Sequence, residues 1–291
     1  MSDQLIQLLI TGLTLGSIYA LIALALVTTF NITGILNLAQ GEFTAIGALL
    51  AISLYAAGIP MLAAFVLAII LVAVMGGCLE RAAIHPARRA SALTLIIITI
   101  GLSISLRGLA LLIWGTDTYS LPAFSQGGSI LVGGAVLNPQ SLWILGLALV
   151  TLVVLYAFLG LTYTGKAVKA SVINRTAARL VGINPNTVSF WAFVGSGALG
   201  AAAGIFIAPV TMSTYDMGFM LGIKGFVAAV IGGLNNVGGA VLGGLLLGVL
   251  ESYSAGLISS GLKDGLAIII LLLVLMVKPQ GIFGLLGERK I

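Results

Sequence analysis

Residues 5–30, LIQLLITGLTLGSIYALIALALVTTF, run without a single charged side chain. A hydrocarbon core of about 30 Å needs about 20 apolar helical residues to cross it, so this stretch is long enough to span a membrane. Residues 92–114, ALTLIIITIGLSISLRGLALLIW, repeat the pattern with one charge, Arg107. The whole chain agrees: 291 residues, 60% hydrophobic, 7% charged, mean hydropathy +1.21. Soluble domains carry about 25% charged residues. Soluble enzymes, disordered tails and coiled coils are therefore excluded, and the reading is an all-α, polytopic transmembrane bundle forming one domain over 1–291. The 39 glycines fit it, because small residues let helix backbones approach where lipid gives no hydrophobic drive for association.

Apolar runs predict crossings near 5–30, 36–57, 61–79, 92–114, 141–161, 187–208, 222–234, 238–256 and 264–277. The stretch before the first run holds Asp3 and no base, so it lacks a signal peptide's positive start and the first span is expected to be retained. Ten of the thirteen Lys and Arg residues fall in three segments. Arg81, Arg88 and Arg89 lie in 80–91; Lys166, Lys169, Arg175 and Arg179 in 162–186; Lys278, Arg289 and Lys290 in the tail. Segments 115–140 and 209–221 hold no base, only Asp117 and Asp216. The positive-inside rule puts the basic segments in the cytoplasm. The net charge of +5 is thus topological and calls for no nucleic acid. Parity then predicts eight to nine crossings, N-terminus outside and C-terminus cytoplasmic, with 222–234 a short broken segment.

Interrupted helices are tolerated at membrane depth only where protein or a water-filled cavity satisfies their backbone. Two regions qualify, NITGILNLAQGE (31–42) and GIKGFVAAVIGGLNNVGG (222–239). Gly41–Ala45 and Gly225–Ala229 echo one another weakly, as an inverted repeat would. Intramembrane charges are functional candidates. Glu42 is expected near the cytoplasmic end of its span, with Asn37 and Gln40 beside it, in a structural network or in a solute path. Arg107, seven residues from Trp114, is expected to snorkel outward. Glu251, beside Ser252 and Tyr253, is a second interior polar candidate. Lone Cys78 reads as a small buried hydrophobe, leaving no disulfide or thiolate metal site. His85 reads as exposed.

Two nucleotide-site patterns fail on context. GLTYTGKA (160–167) has Ala167 where a phosphate loop needs Ser or Thr, and follows a membrane span. GSGALG (195–200) sits in an apolar span with no strand before it, so its glycines read as helix packing. The series Gly233, Gly238, Gly239, Gly243, Gly244 and Gly248 admits packing, a pore lining or a sliding face. No HExxH, GxSxG or carboxylate–histidine relay is present in the sequence, so the chain is expected to catalyse nothing and to bind no cofactor or metal. The basic segment 162–186 has a helical pattern from Gly165 to Leu180, small residues (Ala167, Ala170, Ala177, Ala178) between bases, and Gly182 and Pro185 as stop and restart. It suits either docking to a cytoplasmic partner or resting on anionic lipid.

At this segment the chain resembles the permease subunits of ABC importers, specifically the high-affinity leucine, isoleucine and valine family. Ordered matches cover almost the whole chain: GLTLGSIYALIALAL (12–26), NLAQGEF (37–43), Glu80 to Arg88, GKAVKASVINRTAARLVGIN (165–184), GFMLGIKGFVAAVIGGLNNVGGAVLGGLLLGVLES (218–252) and KPQGIFG (278–284). Permeases for urea, amides and other amino acids share the pattern, and ribose-type sugar permeases share it more distantly. The resemblance implies a multi-pass subunit of the bacterial inner membrane. Its implied partners are a second permease, two cytoplasmic ATPase subunits that carry ATP and magnesium, and an extracytoplasmic binding protein. It implies a coupling helix over 170–182, with Lys169, Ala170, Arg175, Ala178, Arg179 and Gly182, and a path lined near Asn37, Gln40, Glu42, Gly232, Gly233, Asn235, Asn236 and Glu251. Gln40 departs from the histidine frequent there, and Lys166 and Lys169 from arginine. A stand-alone carrier or channel for a small polar solute is the competing reading.

Overall fold

Each apolar run is helical over most of its length in the computed structural model, which describes residues 2–125, 128, 130–132, 135–173, 175–259, 261 and 263–284. The helices are α1 (Ser2–Thr33), α2 (Gln40–Ala56), α3 (Met61–Ala87), α4 (Ala92–Trp114), α5 (Pro139–Leu161), α6 (Tyr163–Ile173), α7 (Arg175–Leu180), α8 (Pro185–Ile207), α9 (Met217–Gly232), α10 (Val237–Leu257) and α11 (Lys263–Val277). Among these, α1, α3, α4, α5, α8 and α10 are long and apolar enough to cross a membrane. Helix α3 passes through a π-helical turn at Glu80–Ile84. Arg289 and Lys290 of the basic tail lie outside the described residues.

Side-chain caps set several starts. Ser91 accepts from the Thr94 N–H, Asn138 from Gln140, Asn184 from Asn186 and Asn236 from Gly239. Pro139 and Pro185 occupy first-turn positions, where a missing N–H leaves no bond unmade. Within the helices, Thr14, Ser17, Thr29 and Thr33 each donate to the carbonyl four residues back, which satisfies hydroxyls that have no water to meet.

Among the described residues the all-helical expectation fails around segment 115–140, where Tyr119 forms an isolated antiparallel bridge with Ser213. Within segment 115–140, β1 (Ile130–Val132) and β2 (Ala135–Leu137) form an antiparallel pair, Leu131 opposite Val136. The Val136 N–H also reaches Gln7 Oε1 on α1, 2.8 Å away.

Helices α1, α2, α8, α9 and α10 form the interior, while α3, α4, α5 and α11 present large apolar side chains outward. Glycine makes the seams. A Cβ on Gly12 would lie 2.7 Å from the Val249 Cα, and one on Gly16 would lie 2.9 Å from the Leu245 Cα, so α1 and α10 touch backbone to backbone. Helices α3 and α8 repeat the arrangement, Gly76 against Phe193 and Gly197 against Val72. Between the seams lie α2 and α9, meeting at Gly41, Gly218 and Gly222. The sets α1–α2–α3 and α8–α9–α10 thus pack in one pattern about a central pair, and the Gly41/Gly225 echo falls on that pair. Gly197 and Gly200, in the nucleotide-like GSGALG, receive α3 and α2 and serve packing. Cys78 is exposed, contrary to expectation: it lies next to Gly77, whose side of α3 meets α8, but itself faces outward.

Candidate functional site

The interruption after α1 is shorter than the sequence suggested. Helix α1 continues to Thr33, only Gly34–Ala39 is unwound, and α2 begins at Gln40. Thr99 of α4 serves this backbone: its hydroxyl accepts from the Leu38 N–H at 3.3 Å and lies 3.2 Å from the Leu36 carbonyl. Thr99 is seven residues into α4, about 10 Å from its start at 1.5 Å per residue. The break therefore sits inside the bundle, where protein groups must satisfy it. Asn37 Oδ1 accepts from the Ala39 N–H at 3.2 Å. The Gln40 amide donates to the Ser196 carbonyl at 3.1 Å, and the Ser196 hydroxyl donates to Gln40 Oε1.

Glu42 follows in the first turn of α2, where the positive end of the helix favours a carboxylate. Its Oε1 accepts from Ser103 Oγ at 2.8 Å and Arg107 Nη2 at 3.1 Å, residues one turn apart on α4. The Trp114 indole donates to Ser53 Oγ at 2.7 Å and fixes the relative height of α2 and α4. Below that tie Arg107 lies seven residues down α4, about 10 Å, and Glu42 eleven residues down α2, about 16 Å. Arg107 closes this offset by pointing toward the N-terminus of α4, as helical side chains do. It turns inward rather than snorkelling. Its guanidinium lies 4.6 Å over the Phe219 ring of α9.

A second ion pair was missed from sequence. Lys224 Nζ of α9 lies 2.8 Å from Glu251 Oε1 of α10, with both side chains buried, and 5.6 Å over the Tyr19 ring of α1. The available signal was one Lys in an otherwise apolar GIKGFVAAV and one Glu in LGVLES, two opposite charges on successive segments. The expected path residues fall in three separate places. Asn37, Gln40 and Glu42 lie together, Glu251 lies with Lys224, and the turn after α9 forms a third group. There Gly232 backs onto Gly239, Gly233 backs onto Gly281, Asn236 caps α10 and donates to the Phe283 carbonyl at 2.8 Å, and Asn235 is exposed. The Ile282 N–H bonds the Ile231 carbonyl at 2.8 Å, so KPQGIFG closes this turn.

The basic segment 162–186 forms α6 and α7. Asn174 between them, and the Arg175 side chain, lie outside what is described. Ala178 is buried, while Lys169, Arg179, Leu180 and Val181 are exposed. Gly182, at φ +85°, ends α7: its N–H bonds the Arg179 carbonyl and the Ile183 N–H bonds that of Ala178, a Schellman cap. Beside it lies a cavity of about 450 Å³ lined by Glu80, His85, Arg88, Arg89 and Arg179. Buried Glu80 accepts from the Ser189 hydroxyl at 3.1 Å. Among the described residues no three His, Cys, Asp or Glu side chains form a metal-holding group.

Comparison with known proteins matches residues 8–275 to the family described as branched-chain amino acid transport system / permease component. The chain is 35% identical to the high-affinity branched-chain amino acid transport system permease protein BraD of Pseudomonas aeruginosa, over 96% of this chain and 95% of that one. It is 33% identical to LivH of Escherichia coli, a permease protein of the same description, over 98% of each. Among solved structures, PsaBC from Streptococcus pneumoniae in complex with Fab superposes with a TM-score of 0.47 at 14% identity, over 96% of this chain and 92% of that one.

Proposed function

Because the chain belongs to the family of branched-chain amino acid transport permease components, we propose that it is the permease subunit of an ATP-driven importer. It sits in a bacterial cytoplasmic membrane and moves branched-chain amino acids or close relatives by alternating access. The observation that carries the reading is the family match over 8–275, which takes in the interrupted helix, the glycine seams and the basic segment together.

The topology we propose has nine crossings, α1 to α5 and α8 to α11, starting outside and ending in the cytoplasm. The base-rich segments support it, as do the packing directions: Gly12 and Gly16 face Val249 and Leu245 in reverse order, as oppositely directed α1 and α10 require. A second permease faces this one across the path. An extracytoplasmic binding protein delivers substrate, and two ATPase subunits bind ATP and magnesium; this chain binds no cofactor and hydrolyses nothing. Coupling runs through α6 and α7, over Lys169, Ala170, Arg175, Ala178, Arg179 and Gly182. Exposed Leu180 and Val181 supply an apolar knob inside a basic fringe, suited to a groove on the ATPase. Helices joined by bare backbone seams rock as units because their packing has no interlocked side chains to disengage.

The experiment is co-purification after mild detergent extraction, followed by reconstitution and an ATPase assay with and without leucine-loaded binding protein. A co-eluting, stimulated ATPase with ATP-dependent leucine uptake supports the reading. A chain that elutes alone and moves solute without ATP overturns it in favour of a stand-alone carrier.

A further inference from the structure

The two buried ion pairs differ in one respect. Lys224–Glu251 is closed, its side chains 8% and 0% exposed. In Arg107–Glu42 the carboxylate is 2% exposed but the arginine 27%. The guanidinium lies on Phe219 of α9, itself 48% exposed. Among the described residues the hydrogen bonds of this guanidinium run through Nη2, to Glu42 and Ser103; Nε is buried without a partner, and Nη1, which is not buried, makes no hydrogen bond. Donor capacity is left on an arginine about 10 Å inside the end of its helix.

An open charge at that depth does not face hydrocarbon; it faces a partner or a water-filled path. Lipid phosphate is excluded, because the side chain is directed away from the near end of α4 and into the bundle. A free amino acid carries a carboxylate and an apolar or polar side chain, and the exposed patch offers a guanidinium donor and an aromatic face.

We infer that Arg107 is a substrate-binding residue of the permease, donating to the α-carboxylate of the amino acid in transit while Phe219 receives its side chain. Glu42 and Ser103 hold the guanidinium by one edge and aim the other into the path. This rests on the importer reading above.

The test uses the assembled complex in proteoliposomes with leucine-loaded binding protein, comparing wild type, Arg107→Lys, Arg107→Gln and the double variant Glu42→Gln/Arg107→Gln. Loss of a charge-assisted hydrogen bond predicts that leucine moved per ATP hydrolysed falls about tenfold or more in Arg107→Gln. Arg107→Lys, which keeps a point charge, recovers part of that. The double variant leaves no uncompensated charge, so a purely structural pair predicts recovery of transport; substrate binding predicts that it stays low. Recovery in the double variant, or uptake by Arg107→Gln equal to wild type, overturns the inference. A double variant that dissociates from the second permease also overturns it, because Arg107 would then be an interface anchor. A wild-type complex that moves no leucine with ATP removes the importer reading and this inference with it.

Discussion

Replacing Glu251 by Ala removes the carboxylate that lies 2.8 Å from Lys224 while leaving the ammonium 8% exposed in the middle of α9. Two lines of reasoning give the size of the effect. Deleting one member of a buried ion pair costs about 3–5 kcal/mol. A Lys at the centre of a spanning helix costs about 2.5–3.5 kcal/mol on insertion scales. The two ranges overlap at about 3–3.5 kcal/mol, on the order of a few hundredfold in the folded-to-unfolded ratio. The double variant Lys224→Met/Glu251→Leu replaces the pair by apolar side chains of similar volume and is expected within about 1 kcal/mol of wild type. The assay is equilibrium unfolding in mixed micelles with increasing SDS, followed by tryptophan fluorescence for both single variants and the double. A single-variant loss under about 1 kcal/mol, or a double variant as unstable as the sum of the singles, refutes the claim that this pair is a closed structural link.

Four further outcomes are expected. Thr99→Val removes the hydroxyl that serves Leu38 and Leu36 in the break before α2, and should cost about 1–3 kcal/mol in the same unfolding assay; an unchanged midpoint counts against Thr99 as the support of that backbone. Gly16→Leu drives a side chain into the α10 backbone at Leu245 and is expected to abolish monodisperse protein on size-exclusion chromatography, whereas Gly108→Ala, which meets nothing within 4 Å, leaves the profile intact. Gly182→Ala puts a Cβ into the left-handed region at φ +85°, a strain of about 1–2 kcal/mol confined to the end of α7; leucine uptake per ATP should fall while subunits still co-purify, and unchanged uptake would remove Gly182 from the coupling element. For orientation, Leu180→Cys in a Cys78→Ala background should react with an impermeant maleimide only in inside-out vesicles, and Asp117→Cys only in right-side-out cells; the reverse pattern inverts the proposed topology.

Sequence alone determined the class of protein and the approximate place of its apolar helices, because lipid imposes a minimum apolar length and backbone polar groups leave it no cheaper structure than a helix. The caps at Ser91, Asn138, Asn184 and Asn236 act on residues only two or three positions away and are local in origin, yet they were identified only in the structure. The polar cluster Asn37, Gln40 and Glu42 was visible as an interruption of an apolar run. Their arrangement was not. That Glu42 pairs with Arg107, that Lys224 pairs with Glu251, and that KPQGIFG closes the turn after α9 depend on helix rotation and relative height, set by contacts between residues far apart in the chain. Periodicity and charge offer candidates for such pairs but do not fix which side chains meet. Arg107 is the clearest instance: its position predicted a side chain reaching for the membrane surface, and the Trp114–Ser53 tie, by setting α2 against α4, is what turned it inward to Glu42.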